Sequence, residues 1–208
     1  MQNYQHKRDV SRILLIAFAL AVTAIALPSC SESEASSGPS GEFSAQELAD
    51  SLNVVLRSDR KVYARDIVTR LGKEGILKAH EEWQANKTLL LPAQAFRRGA
   101  EEVDLIEDKS VSFSYSLQSL WPLNMENAKK RTPEVMKGLQ HGVDTNGENF
   151  YGEEEIGGQK YFIAIYPDKA VAAACWECHN DHENRLEEYP EFKQGDVMGG
   201  IVIRIPID

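Results

Sequence analysis

The chain has 208 residues, with 23 Lys and Arg against 32 Asp and Glu, a formal charge of −9 near neutral pH. That balance argues against nucleic acid as a partner, since phosphate binding needs a basic face, and suits a basic protein partner steered toward an acidic surface. With three cysteines in all, a disulfide-stapled scaffold is excluded.

The N-terminus carries His6, Lys7, Arg8 and Arg12, followed by an apolar run from Ile13 to Leu27 and a small-residue exit at Pro28 and Ser29. The apolar run is short for a membrane span and right for the core of an export signal. Leu27-Pro28-Ser29-Cys30 resembles a bacterial lipoprotein box, with Pro28 an unusual occupant. The resemblance implies removal of residues 1–29, lipid attachment at Cys30, and a membrane-anchored protein facing the periplasm or cell exterior. The competing reading is an uncleaved anchor that ends at Cys30. Cleavage would remove three of the 23 basic residues and one of the 32 acidic ones, leaving 20 against 31 and a charge of −11. Residues 30–43, centred on "SESEASSGPSGE", hold almost nothing apolar and read as a flexible tether.

Order is expected over 44–208 as one domain. Ser44 and Glu47 form a capping-box pattern ahead of Leu48, Leu52, Val55 and Leu56, spaced for one helical face, and Val62, Ile67, Val68 and Leu71 prolong that helix to Gly72. A second helix over about 73–86 places Ile76, Leu77, His80 and Trp83 on one stripe, and a short third helix starts at Pro92. The period then changes. Val111, Phe113, Tyr115 and Leu117 alternate with serines as a half-buried strand. Thr132, Pro133 and Glu134 open a helix carrying Val135, Met136 and Leu139 and ending at Gly142. Residues 149–156 and 159–166 flank Gly157-Gly158 as a hairpin, and the chain closes on a strand with Ile201, Ile203 and Ile205 facing one way. Helices first and an antiparallel sheet after them give an α+β fold.

The remaining cysteines lie in Cys175-Trp176-Glu177-Cys178-His179. This spacing is the signal for covalent haem attachment: each thiol adds to one vinyl group of the porphyrin and the adjacent imidazole reaches the iron. Export agrees with it, because bacterial haem c is attached outside the cytoplasm. Two other readings compete. A thiol–disulfide pair normally follows a strand in a thioredoxin-like βαβ order, which this sequence lacks. Half a zinc site with His179 and His182 would want a second ligand pair from another turn. Only 29 residues follow His179, so a haem pocket must be built from the residues before the motif, which argues against the cytochrome c fold.

Three segments carry a family resemblance: "SLWPLNMENA" (119–128), "YFIAIYPDKAVAAACWECHN" (161–180) and "KQGDVMGGIVIRIP" (193–206). They are similar to a family of monohaem c-type domains with a PAS-like fold, found in cyanobacterial and other bacterial proteins. The resemblance implies a PAS-like antiparallel sheet preceded and flanked by helices, one covalent haem c per chain near the C-terminus, and a redox or sensory role. The best-known member of that family resembles a His/Cys haem with its cysteine on an N-terminal helix. This chain departs from it, having no further cysteine to offer beyond Cys30.

With His179 as one axial ligand, the candidates for the other are His80, His141, His182, Met125, Met136 and Met198. His80 is favoured for its place on the predicted apolar stripe, against the plain alternative of a hydrogen-bonded core histidine. Met125 is the runner-up. Met136 and Met198 read as core residues, His141 as a helix C-terminal residue, and His182 as solvated and too close to His179 to reach the opposite haem face. Arg97 and Arg98 either pair with haem propionates or form a solvated face. The expected role is electron transfer or redox sensing through a protein partner, without turnover of its own. The rivals are a gas or ligand sensor with a displaceable sixth ligand, and a haem enzyme of the peroxidase or nitrogen-oxide reductase type.

Overall fold

A computed structural model describes residues 43–208 of the chain. Cys30, the expected signal at 1–29 and all of the tether except Phe43 lie outside the described residues. Among the described residues, no helix is long and apolar enough to cross a membrane.

Helix α1 (Ala45–Val62) starts with the capping box read from the sequence: Glu47 N–H donates to Ser44 Oγ at 3.2 Å, and Ser44 N–H donates to Glu47 Oε2 at 2.9 Å. That backbone bond holds the Glu47 carboxyl below the usual carboxylate range. The helix runs on through a π-helical segment, Tyr63–Thr69, into α2 (Arg70–Lys73), ending where Gly72 predicts. Its inner face differs from the expected one. Leu48, Leu52 and Leu56 pack on the sheet with Ala45 and Ala49, whereas Val55 and Val62 are exposed. A 3.6-residue repeat through 45, 48, 49, 52, 53 and 56 leaves 55 and 62 off the stripe, and a polar residue, Asn53, takes a buried position on it.

The helix expected over 73–86 is corrected to a single turn, α3 (Trp83–Asn86). Gly75 adopts a left-handed φ of 68° that ends the preceding helix. The chain then pairs with a stretch about ten residues on: His80 N–H donates to the Leu89 carbonyl at 3.0 Å, and Leu89 N–H to the Lys78 carbonyl at 2.9 Å. Backbone groups that a helix would satisfy internally are satisfied across this bridge, and Ile76 is left 63% exposed. Pro92 does open a helix, α4 (Pro92–Asp104), longer than expected, with Gln94 Oε1 accepting from the Leu91 N–H at 3.1 Å.

Strand β1 (Ser114–Gln118) is shorter than its alternating pattern, because Ser110 to Phe113 lie outside the ladder and Val111 is exposed. After the single turn α5 (Met125–Ala128), Thr132 caps α6 (Pro133–Asp144) by accepting from Val135 N–H at 3.2 Å. Val135 and Leu139 are buried as read, whereas Met136, read as core, is exposed. Strands β2 (Phe150–Ile156) and β3 (Gln159–Lys169) form the expected hairpin, with Gly157 and Gly158 at φ of 61° and 85°. Helix α7 (Ala173–Asn180) and strand β4 (Val197–Ile207) complete the domain.

The four strands form one antiparallel sheet in the order β1-β4-β3-β2. Central β4 uses both faces. Ile201, Ile203 and Ile205 pack with Ala164 and Tyr166 under α1 and Phe96 of α4, while Val202 joins Ile163 and Ile165 under Val135 and Leu139 of α6. Each such fully buried side chain contributes about 1.5–3 kcal/mol of transfer free energy. The fold is α+β, an antiparallel sheet preceded and flanked by helices, as the sequence implied. A third cluster caps one end of the sheet, where α7 meets the π-helical segment, and Cys175 belongs to it.

Candidate functional site

Beyond a register shift at Asp168 and Lys169, β3 leaves the sheet. The chain is then held by Ala170 N–H donating to the Asp196 carbonyl at 2.9 Å, so α7 begins close to the sheet end. Ala174 N–H donates to Thr69 Oγ1 at 3.4 Å, which seats the start of α7 against the π-helical segment. Such bulged helices recur at functional positions. Past the helix, Asn180 Nδ2 donates to the Phe192 carbonyl at 2.7 Å and Phe192 N–H donates to Asn180 Oδ1 at 2.9 Å. That clamp sets the Phe192 ring edge-on to the His179 imidazole, centroids 5.7 Å apart.

Cys175, Cys178 and His179 all line one cavity of about 360 Å³, within the size range of small-molecule and cofactor sites. The two cysteines are not joined to each other. Cys175 is buried among Ala64, Ala172, Phe192 and Met198, and Cys178 is half-buried. Burial, then the charge of Glu81, pushes the Cys178 thiol above its ordinary pKa, so it stays protonated at neutral pH. Burial, with help from His182 and Arg60, lowers His179 to about 4, leaving a neutral imidazole with a free lone pair. A thiol–disulfide exchange pair needs the opposite, a thiolate favoured by its surroundings. Among the described residues, no three His, Cys, Asp or Glu side chains converge to hold a metal ion. The neutral imidazole of His179 thus lines the cavity beside both cysteines.

The other residues singled out from the sequence fall in different places. His80 is exposed and does not line the cavity. Its Nδ1 accepts from Glu82 N–H at 3.0 Å and lies 3.1 Å from Asn86 Nδ2, although its neighbour Glu81 does line the cavity. Met198 is buried and lines the cavity; Met125 is exposed and does not. His141 lies on α6, 4.0 Å from Glu148. Arg97 lines the cavity 3.6 Å from Glu101, whereas Arg98 is exposed and does not. His182 corrects the expectation of a solvated side chain. It is only 10% exposed, lies 2.9 Å from Glu81 Oε1 and lines the cavity, because the turn after α7 folds back over it.

Two cavity residues carry no signal in the sequence. Arg60 sits in the polar run "RSDRKV" of α1 yet pairs with Asp168 of β3, and Gln118 ends β1 among small polar residues. Arg60's side chain is only 10% exposed and Gln118 is buried, a fact that only the tertiary fold creates.

The family model described as Tll0287-like matches residues 40–206. Among solved structures, the crystal structure of the cyanobacterial heme-protein Tll0287 is similar at 18% identity and a TM-score of 0.44, covering 80% of this chain and 98% of that one. No curated protein matches the chain.

Proposed function

The chain belongs to the Tll0287-like family, and from that premise we propose that it is a monohaem c-type protein whose single haem is held through Cys175 and Cys178 with His179 as an axial ligand. One observation carries this reading: both cysteines and the neutral imidazole of one CxxCH motif face the same 360 Å³ cavity. The residues suit the group. Thioether formation adds each S–H across a vinyl double bond, which consumes thiols rather than a disulfide, and the two cysteines are unjoined. A neutral imidazole is the form that ligates iron.

When bound, haem c supplies one-electron redox chemistry. The chain's own residues exclude water through the apolar cluster around Cys175 and orient His179 through Phe192 and Asn180. The role that follows is electron transfer or redox sensing through a basic protein partner, in an exported protein anchored by lipid on Cys30. His80 is the proposed sixth ligand, one residue from the cavity, and its ring must release the Glu82 amide to serve.

That hydrogen bond also supports a second reading. A histidine already satisfied away from the cavity is a displaceable ligand, as a gas sensor or a haem enzyme would need. Carbon monoxide binding to the reduced protein separates the two.

The test of haem attachment is expression with a bacterial haem-attachment system, followed by denaturing mass spectrometry and the alkaline pyridine spectrum. A mass gain of one haem, lost in the Cys175→Ala/Cys178→Ala variant, is expected. Chain that emerges without covalent haem overturns the proposal.

A further inference from the structure

Two polar side chains inside the cavity are left with an unused hydrogen-bonding atom. Arg60 spends Nε and Nη2 on Asp168, at 2.9 and 2.6 Å, while its Nη1 is buried without a partner. Gln118 is 8% exposed, and its Oε1 is likewise buried without a partner. Both residues line the same cavity as the CWECH motif. A buried polar atom with nothing to bond is costly to leave unpaired, and two such atoms on residues of one cavity point to a ligand there.

The ligand's chemistry follows from the donors. Arg60 Nη1 can only donate, so it needs an acceptor. Gln118 Nε2 donates to Ser116 Oγ across a long 3.4 Å. The oxygen and nitrogen of an amide are assigned by their surroundings, and turning this one over keeps the Ser116 bond, with the hydroxyl as donor, and gives the cavity a second N–H. The charges lining the cavity agree. Arg60, Arg97 and Lys130 face Glu81 and Asp168, a local excess of one positive charge in a chain of net charge −9.

We propose that Arg60 and Gln118 form a carboxylate-binding pair inside the cavity. Resting on the haem reading, the carboxylate taken in the loaded protein is a haem propionate; without haem, the same pair takes a small free carboxylate. Asp168 fixes the guanidinium, so the free N–H is oriented before the ligand arrives. The Asp168 charge also offsets that of Arg60, so the pair recognises a carboxylate by hydrogen-bond geometry more than by net charge.

The variant that isolates the effect is Arg60→Lys. Lysine keeps a cation for Asp168 but loses the planar fork and its spare N–H. Gln118→Leu is the second variant and leaves the ion pair intact. The first measurement is the midpoint potential of the haem-loaded protein between pH 4.5 and 8, with the absorption spectrum and thermal midpoint checking the fold. A propionate held by Arg60 stays ionised, so the wild-type potential varies less with pH than that of the variants. Freed in Arg60→Lys, it protonates within the range, so the potential rises as pH falls, with a smaller slope in Gln118→Leu. The second measurement adds sodium acetate to haem-free wild type and variants and follows tryptophan fluorescence, to which Trp121 of the cavity wall contributes. Saturable binding in wild type, weakened at least tenfold in both variants, supports the pair through a free carboxylate even if no haem attaches. Potential profiles unchanged in both variants, together with no saturable acetate response, overturn it.

Discussion

Arg60 of α1 and Asp168 of β3 lie 108 residues apart in sequence and meet through two charge-assisted hydrogen bonds, with side chains only 10% and 12% exposed. The pair ties the N-terminal helix to the strand that leads into the CWECH helix. A buried ion pair is a weak source of net stability, but breaking one side of it is costly. Asp168→Ala, which strands the guanidinium, is expected to lower unfolding stability in urea by about 3–5 kcal/mol. The double variant Arg60→Met/Asp168→Leu should cost far less than the sum of the single changes. Simple additivity would mean that the two side chains do not act as a unit.

His80 offers a direct check of coordination. In the haem-loaded protein, His80→Ala is expected to convert a low-spin six-coordinate spectrum into a high-spin one and to open the reduced iron to carbon monoxide. The Asn86→Ala variant, which removes one neighbour of Nδ1 in the free position, should favour the bound histidine and make carbon monoxide binding weaker. An unchanged spectrum in His80→Ala would assign the sixth position elsewhere, with buried Met198 as the next variant.

The half-buried His179 imidazole makes a pH prediction for the haem-free chain. Its folded pKa is lowered from 6.5 to about 4, so between those values the unfolded state binds more protons than the folded one. Stability from this group is therefore fully present above about pH 6.5 and is lost as pH falls toward 4. The loss amounts to roughly 3 kcal/mol at about 1.4 kcal/mol per unit. Urea melts at pH 7, 5.5 and 4.5 should show the slope, and His179→Gln should flatten it. An imidazole titrating near 6.5 by NMR in the folded chain would contradict the burial that causes the shift.

Local signals in the sequence were enough where the chain's own neighbours decide the structure. The Ser44–Glu47 box, the Thr132 cap and the Gly157-Gly158 hairpin each depend on residues a few positions apart, and each forms as read. The reading failed where a partner outside the local pattern intervened. The stripe Ile76, Leu77, His80 and Trp83 has helical spacing, but the backbone around residues 78–80 pairs with Leu89 instead. His182 looks solvated within an acidic run and is covered because the turn beyond α7 brings it to Glu81. Arg60 and Gln118 were invisible for the same reason: no pattern in a polar helix announces which arginine will be buried by a strand more than a hundred residues away. The CWECH motif is visible from its own spacing, whereas the cavity around it is shaped by contacts far along the chain.

Gly199 joins the sheet and the cavity in one position. It lies on β4 beside Gly200, which pairs with Gln118 of β1, and it faces Asp168 of β3. A Cβ at Gly199 would collide with the Gln118 carbonyl oxygen and press on Ser119 Cβ at 3.3 Å. The first obstacle is backbone, so no side-chain rotation relieves it and the end of β1 must move. Ser119 is anchored there by its hydroxyl, which donates to the Met198 carbonyl at 2.6 Å, and Gln118 carries one of the unpartnered cavity atoms. Gly199→Ala is therefore expected to cost about 1–3 kcal/mol, as overpacking does, and to displace Gln118 from Arg60's side of the cavity. Gly157→Ala is the control. Its Cβ meets nothing within 4 Å, and the penalty comes only from a φ of 61°, about 1 kcal/mol. If the cavity depends on the close approach of β1 and β4, Gly199→Ala alone shifts the spectrum and potential of the loaded protein, while Gly157→Ala lowers stability without touching either. Equal effects on the spectrum from both variants would show that the site responds to sheet stability in general and not to this contact.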